Sequence, residues 1–380
     1  MALKFEYNKK TRTAEVCGVE DKFCEQIVIP STVEYYGKKY DVVAIKGHAF
    51  QECIKLKSAT IPNSVTAIGC CAFSGCSSLT SITIPDSVTV IGWAAFSHCS
   101  NLTSITIPDS VTEIGDWAFQ FCSNLKEFKG KFAADNGRCL IKDGALIAYV
   151  SASDTTYAIP NGVTKIVRFA FQGCSSLTSI TIPDSVTYIG ERAFLGCSSL
   201  TSITIPDSVT SIGDSAFLEC FRLTSVTIPN SVTAIGKEAF HRCSSLTSVT
   251  IPNSVTKIGK YAFSGCSSLT SINIPDSVTY IGERAFLGCS SLTSITIPDS
   301  VTSIEEDAFY GCSSLTSITI PDSVTSIGYR AFYGCSSLKK VEICNEKGCV
   351  NISYNAFGFD VKVTYLGKAA QPKPKQEVKE

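Results

Sequence analysis

A period of 23 residues governs this chain. Twelve of its 14 prolines follow an isoleucine, and from Pro160 to Pro321 every step between them is 23. The same step links Pro62, Pro85 and Pro108. An Ala-Phe pair recurs in phase from Ala49-Phe50 to Ala331-Phe332, with a shifted last copy at Ala356-Phe357. Twelve of the 19 cysteines lie three residues after such a phenylalanine, among them Cys76, Cys197 and Cys335. Self-similarity at a fixed step of this length marks a stack of repeats.

One unit runs from Leu79 to Asn101. Alternation in Ser81-Ile82-Thr83-Ile84 sends both isoleucines to one face of a short strand and the hydroxyls to the other. Pro85 has a fixed φ and no N–H, so it ends the strand and opens a turn continued by Asp86-Ser87. Val88 and Ile91 point inward again. After Gly92 and two variable residues, Ala95-Phe96 forms a compact turn or a single helical turn that closes the coil. Leu79, Ile82, Ile84, Val88, Ile91, Ala95, Phe96 and Cys99 are thus the inward side chains. One coil alone buries too little apolar surface to offset the ordering of its backbone. Stability must come from stacking, with caps at both ends.

The pattern Leu-x-x-Ile-x-Ile-Pro-x-x-Val-x-x-Ile-Gly-x-x-Ala-Phe-x-x-Cys resembles the BspA-like class of leucine-rich repeats over residues 27–357. The resemblance implies a leucine-rich-repeat solenoid of the α/β horseshoe class, β-rich, curved and right-handed, with a parallel sheet on its concave side. It also implies a non-enzymatic binding role, commonly adhesion at microbial surfaces.

The period breaks in three places. Leu3–Tyr7 and Thr13–Val16 flank Asn8-Lys9-Lys10, a hairpin signal, which gives an N-terminal cap with hairpins over residues 1–52 before repeats over 53–122. A β-hairpin insertion over 123–159 comes next, where Asp143-Gly144 joins two apolar runs; it is expected to project from the solenoid edge or pack on it. Repeats resume over 160–343, then a C-terminal cap over 344–367 and a disordered tail over 368–380, which is rich in charge and carries Pro372 and Pro374. Residues 173–212 and 265–304 agree at 39 of 40 positions, so part of the array is a copied block.

Composition narrows the partners. There are 33 basic against 34 acidic residues, a net charge of −1, and no basic cluster, which argues against nucleic acid and against anionic membrane surfaces. No run approaches the roughly 20 apolar residues of a membrane span, so no membrane insertion is expected. The N-terminus has no basic region followed by an apolar run. Location, at the cell surface or in the cytoplasm, stays open. A monomer is expected.

Catalysis finds no support. His48, His98 and His241 accompany no recurring nucleophile, and there is no phosphate loop or nucleophile elbow. No cofactor and no metal are expected. The cysteine ladder lacks zinc spacing and reads as buried free thiols, while Asp86, Asp109 and their counterparts are turn residues interrupted by asparagines. The candidate site is the polar face of the strands: Ser202, Thr204, Ser225, Thr227, Ser248, Thr250, Ser271, Asn273, Ser294 and Thr296, with Asp143 and Gly144 at the hairpin tip. These columns either hold a repetitive protein or glycan ligand or simply keep the sheet soluble. Variation concentrates elsewhere, after Ile-Gly (Glu191-Arg192, Lys237-Glu238, Lys260-Tyr261) and after Ala-Phe (Leu195-Gly196, His241-Arg242, Tyr310-Gly311). Two functions are compatible with this pattern: a binding or adhesion module, or an intracellular scaffold or structural spacer without a dedicated ligand.

Overall fold

The computed structural model describes residues 2–150 and 154–367, and the expected tail over 368–380 lies outside them. The chain divides into two units, Met1–Leu200 and Thr201–Glu380. In each, the 23-residue coils stack so that each residue sits beside its counterpart in the next coil.

Two parallel ladders run through the coils. The first is the Ser-Ile-Thr strand. In the second unit, Ser202–Thr204, Ser225–Thr227 and Ser248–Thr250 pair in succession, and Ser271–Ile272 pairs with Ser294–Ile295. This ladder is not the continuous sheet that the repeat suggests, and Ser81-Ile82-Thr83-Ile84 carries no strand pairing. The second ladder comes from the Val-x-x-Ile step. Ala67–Ile68, Val90–Ile91 and Glu113–Ile114 pair in register in the first unit. In the second unit, Ala234–Ile235 through Asn351–Ile352 form a sheet of six such strands. Strands of two residues have no alternation to read, so this ladder is invisible in the sequence.

The Ala-Phe segment forms a compact turn and not a helix; no helix occurs among the described residues. Its geometry is unusual. The second residue after Ile-Gly adopts positive φ in coil after coil, as in Ala94 (52°), Arg192 (53°), Glu238 (56°) and Arg284 (57°). The residue before the cysteine does so too, as in His98 (59°) and Arg242 (60°). Positive φ costs a non-glycine residue stability, and the return here is a third ladder of intercoil bonds. Ala94, Phe96 and His98 donate their N–H groups to the carbonyls of Asp116, Ala118 and Gln120 at 2.9, 2.8 and 2.7 Å. Glu238, Phe240 and Arg242 do the same to Lys260, Ala262 and Ser264 at 2.9, 2.9 and 2.7 Å.

Inside the stack the phenylalanines form a column. Ring centroids from Phe217 to Phe332 succeed one another at 5.1–5.5 Å with nearly parallel planes, an offset stack that suits aromatic quadrupoles. Small polar side chains close the backbone between coils. Ser254 donates to the Val232 carbonyl at 2.7 Å, and the Cys266 thiol donates to the Phe240 carbonyl at 3.2 Å. Gly92 stands where a Cβ would lie 2.6 Å from the backbone nitrogen of Cys70, so the Ile-Gly step lets neighbouring coils approach closely.

The first unit opens on the antiparallel hairpin Leu3–Asn8 with Thr13–Val19; the latter strand runs parallel to Lys38–Ile45, which pairs onward with Ala67–Ile68. The segment read as an inserted hairpin proves to be a coil of its own. Cys139–Lys142 and Ala145–Tyr149 are antiparallel, with Asp143 and Gly144 at φ 52° and 74° as a two-residue turn demands. Yet Ala145–Tyr149 also lies parallel to Lys165–Ile166, with Leu146 opposite Ile166. The hairpin therefore does not project. Its second strand takes the Val-x-x-Ile place, and Tyr149 takes the Phe place, donating to the Ala170 carbonyl at 3.0 Å. Spacing counted from prolines hid this coil, because it has no Ile-Pro or Ala-Phe of its own.

Candidate functional site

The strand residues singled out by the sequence lie together in the second unit. Ser202, Thr204, Ser225, Thr227, Ser248, Thr250, Ser271, Asn273, Ser294 and Thr296 are all exposed. Between them, Ile203, Val226, Val249, Ile272 and Ile295 are buried. Register brings Ser202, Ser225 and Ser248 into one row, Thr227 beside Thr250, and Ser271 beside Ser294. Neighbouring threonines are spent on the stack: Thr224 Oγ1 donates to the Thr201 carbonyl and Thr247 Oγ1 to that of Thr224, each at 3.0 Å. Among the described residues Thr204, Thr227 and Thr250 have no such side-chain bond, so their hydroxyls face solvent at the strand spacing of about 4.8 Å. Such a row presents equivalent donors and acceptors and no charge.

Asp143 and Gly144 sit apart from this row, in the first unit. The Asp143 carboxylate is exposed and pairs with Lys142 at 2.8 Å. The Gly144 carbonyl accepts the Thr164 N–H at 2.7 Å, which ties the tip to the next coil.

The variable outer positions are knitted together more than their sequence suggests. Arg284 holds Asp307 through Nε at 2.9 Å, Glu306 through Nη2 at 3.1 Å and the Tyr261 hydroxyl through Nη1 at 2.8 Å. Arg330 lies over the rings of Tyr310, Tyr329 and Tyr333 at 5.0–5.5 Å. These side chains answer each other across coils.

A second feature went unread in the sequence. In the first unit, a cavity of about 410 Å³ opens beside the coil that carries Tyr149; Trp117, Phe119, Phe121, Phe128 and Phe169 are among its walls. The chain's only two tryptophans, Trp93 and Trp117, are in ring contact at its edge. Their occurrence in adjacent coils was the available signal. Among the described residues no cluster of three or more His, Cys, Asp or Glu side chains is placed to hold a metal ion.

Taken together, the stacked 23-residue coils and their parallel ladders define a leucine-rich-repeat solenoid. The sequence matches the BspA type leucine rich repeat region over residues 43–133, 148–270 and 256–366; the chain belongs to that family. It is similar in structure to a leucine-rich repeat protein from Bacteroides ovatus, with 32% identity, coverage of 96% of this chain and 98% of the other, and a TM-score of 0.61. It is likewise similar to a leucine rich cell surface protein from Faecalibacterium prausnitzii, at 35% identity, 91% and 94% coverage and a TM-score of 0.59. A leucine-rich repeat protein from Eubacterium ventriosum shares the fold at 22% identity, with 88% and 93% coverage and a TM-score of 0.60. No match emerges among curated protein sequences.

Proposed function

We propose that this chain is a non-enzymatic adhesion module that holds an extended protein or glycan along the exposed Ser/Thr rows of its second unit. The observation that carries the reading is the in-register, uncharged row of Ser202, Ser225 and Ser248 beside Thr227 and Thr250, exposed above buried Val226 and Val249. Identical neighbours suit a ligand that repeats, because each contact is weak and their sum is not. The cell-surface relative from Faecalibacterium prausnitzii supports placing the module outside the cell.

Binding to a panel of matrix proteins and glycans tests this. For a partner found in that panel, Thr204→Ala alone should weaken affinity about twofold or less, since one exposed hydroxyl contributes about 0.5 kcal/mol. Thr204→Ala, Thr227→Ala and Thr250→Ala together should weaken it about tenfold or more while the melting temperature stays put. Unchanged affinity in the triple variant overturns the reading. Loss with Asp143→Asn instead, which keeps the turn and removes the charge, would move the contact to the hairpin tip.

One observation favours the scaffold reading: all nineteen cysteines are thiols, as is usual in reducing compartments. Fractionation of the native cell separates the two, because a surface adhesin must be reachable by protease added to intact cells.

A further inference from the structure

Regular steps of the turn ladder carry three N–H to carbonyl bonds from alternate residues, as from Ala94, Phe96 and His98. Trp117, Phe119 and Phe121 hold the places of Ala94, Phe96 and His98. Their backbone keeps the donor geometry: Trp117 and Phe121 have φ 66° and 57°, as Ala94 and His98 have 52° and 59°. Yet among the described residues none of the three N–H groups has an acceptor. Among the described residues the next coil reaches this side through Ile147, Ala148, Tyr149 and Val150, and Tyr149 bonds to the far wall, at Ala170.

The space left between is the 410 Å³ cavity. Phe119 is 8% exposed, and a buried N–H is rarely left unpaired. The Trp117 indole Nε1 is also buried there without a partner. Side chains span the outer mouth among the described residues: Arg168 to Asp116 at 3.3 Å, Gln120 to Gln172, and the Trp117 ring against Phe169 at 4.8 Å. Such half-exposed pairs contribute little and part easily.

What fills this place elsewhere in the unit is polypeptide. Against the next wall, Glu191, Ala193 and Leu195 present carbonyls to Phe169, Phe171 and Gly173, and the Phe194 ring is buried. We propose that the cavity docks a turn segment of a partner protein, in the conformation that residues 191–196 take against the next wall. Its carbonyls at alternate residues accept from Trp117, Phe119 and Phe121, and an aromatic side chain between them enters among Phe119, Phe128 and Tyr149. This is backbone augmentation with one side-chain anchor, on a turn ladder in place of a sheet edge. It is independent of the Ser/Thr rows, which belong to the other unit.

The probe is the chain's own turn as a capped hexapeptide, Glu-Arg-Ala-Phe-Leu-Gly, the sequence of residues 191–196. Titrated into the full chain, it should change tryptophan fluorescence saturably, since Trp117 lines the site and Trp93 adjoins it. It should slow amide exchange at Trp117, Phe119 and Phe121 at least tenfold. The same peptide with alanine for phenylalanine should bind at least tenfold more weakly. An Ala148→Phe variant that keeps the wild-type melting curve should lose binding by filling the cavity. No saturable change at millimolar peptide, or equal binding of the alanine peptide, overturns the proposal. So does saturation by indole or a monosaccharide where the peptide gives none, which would make the cavity a small-molecule site.

Discussion

The ladder cysteine shows how much one side chain does here. It is small enough for the space beside Phe, apolar enough to be buried, and its S–H meets the preceding coil's Phe carbonyl, as from Cys289 to Phe263 at 3.2 Å. Burial pushes these thiols up: Cys289 rises from 9.0 to about 12, and Cys266 rises well above 9.0. A raised folded-state pKa means that the stabilising difference is complete below the unfolded value. It is lost as pH climbs from 9.0 toward about 12, because the unfolded chain ionises first. Each buried thiol should then remove about 1.4 kcal/mol of stability per pH unit in that window. Urea denaturation across this range should show a steep fall, and the Cys266→Ala, Cys289→Ala variant should fall less steeply by about 3 kcal/mol per pH unit, the two thiols summed. An identical slope would mean that these thiols do not gate alkaline unfolding. That the cysteines face inward was legible, since they keep phase with Leu and Ile. The bond each one donates was not, because sequence gives no position for the carbonyl it meets.

At the scale of the element, the strand and the proline turn were readable, and the rest of the coil was not. Alternation disclosed Ser-Ile-Thr-Ile, and the turn residues disclosed Pro-Asp-Ser. The Ala-Phe turn is built from left-handed positions held by Arg192, Glu238 and Arg284. Sequence rules reserve such positions for glycine, so its ladder was hidden. The tip of the modified coil obeys those rules, and its strength can be checked. At Gly144, φ is 74° and an added Cβ would lie 2.9 Å from Thr164 Oγ1. Gly144→Ala should cost about 1 kcal/mol or more, read as a lower urea midpoint, while Asp143→Asn should leave the midpoint unchanged because asparagine tolerates positive φ. A Gly144→Ala protein of full stability would mean that the turn relaxes without loss.

At the scale of the molecule, the period alone announced a stack, and it did not show how the segment between Cys122 and Pro160 joins that stack. Residues 123–159 count as an excursion by proline spacing, yet within them Glu127–Gly130 pairs back to the preceding coil and Ala145–Tyr149 pairs on to the next, while the turn ladder to the preceding coil is missing. The sheet that ends at Glu113–Ile114 goes no further, and Glu127–Gly130 pairs only with Ser104–Ile107. The candidate rows were legible as columns, because register in a solenoid is set by the period. The aromatic cavity was not, since it arises from what one coil lacks. That missing third of a step has a mechanical meaning. The adhesion role proposed above would put the stack under tension, and a stack held by nearest-neighbour bonds yields where a rung is absent. Pulled by its ends in an optical trap, the chain should first part before residue 139 at low force. The remaining coils should then peel away in higher-force steps of about 75 Å, the extended length of 23 residues less the rise of one coil. A trace of equal rips with no early event would show that side chains across the mouth carry the load. An early event would make this coil a fuse, opening under pull and baring the N–H groups of Trp117, Phe119 and Phe121.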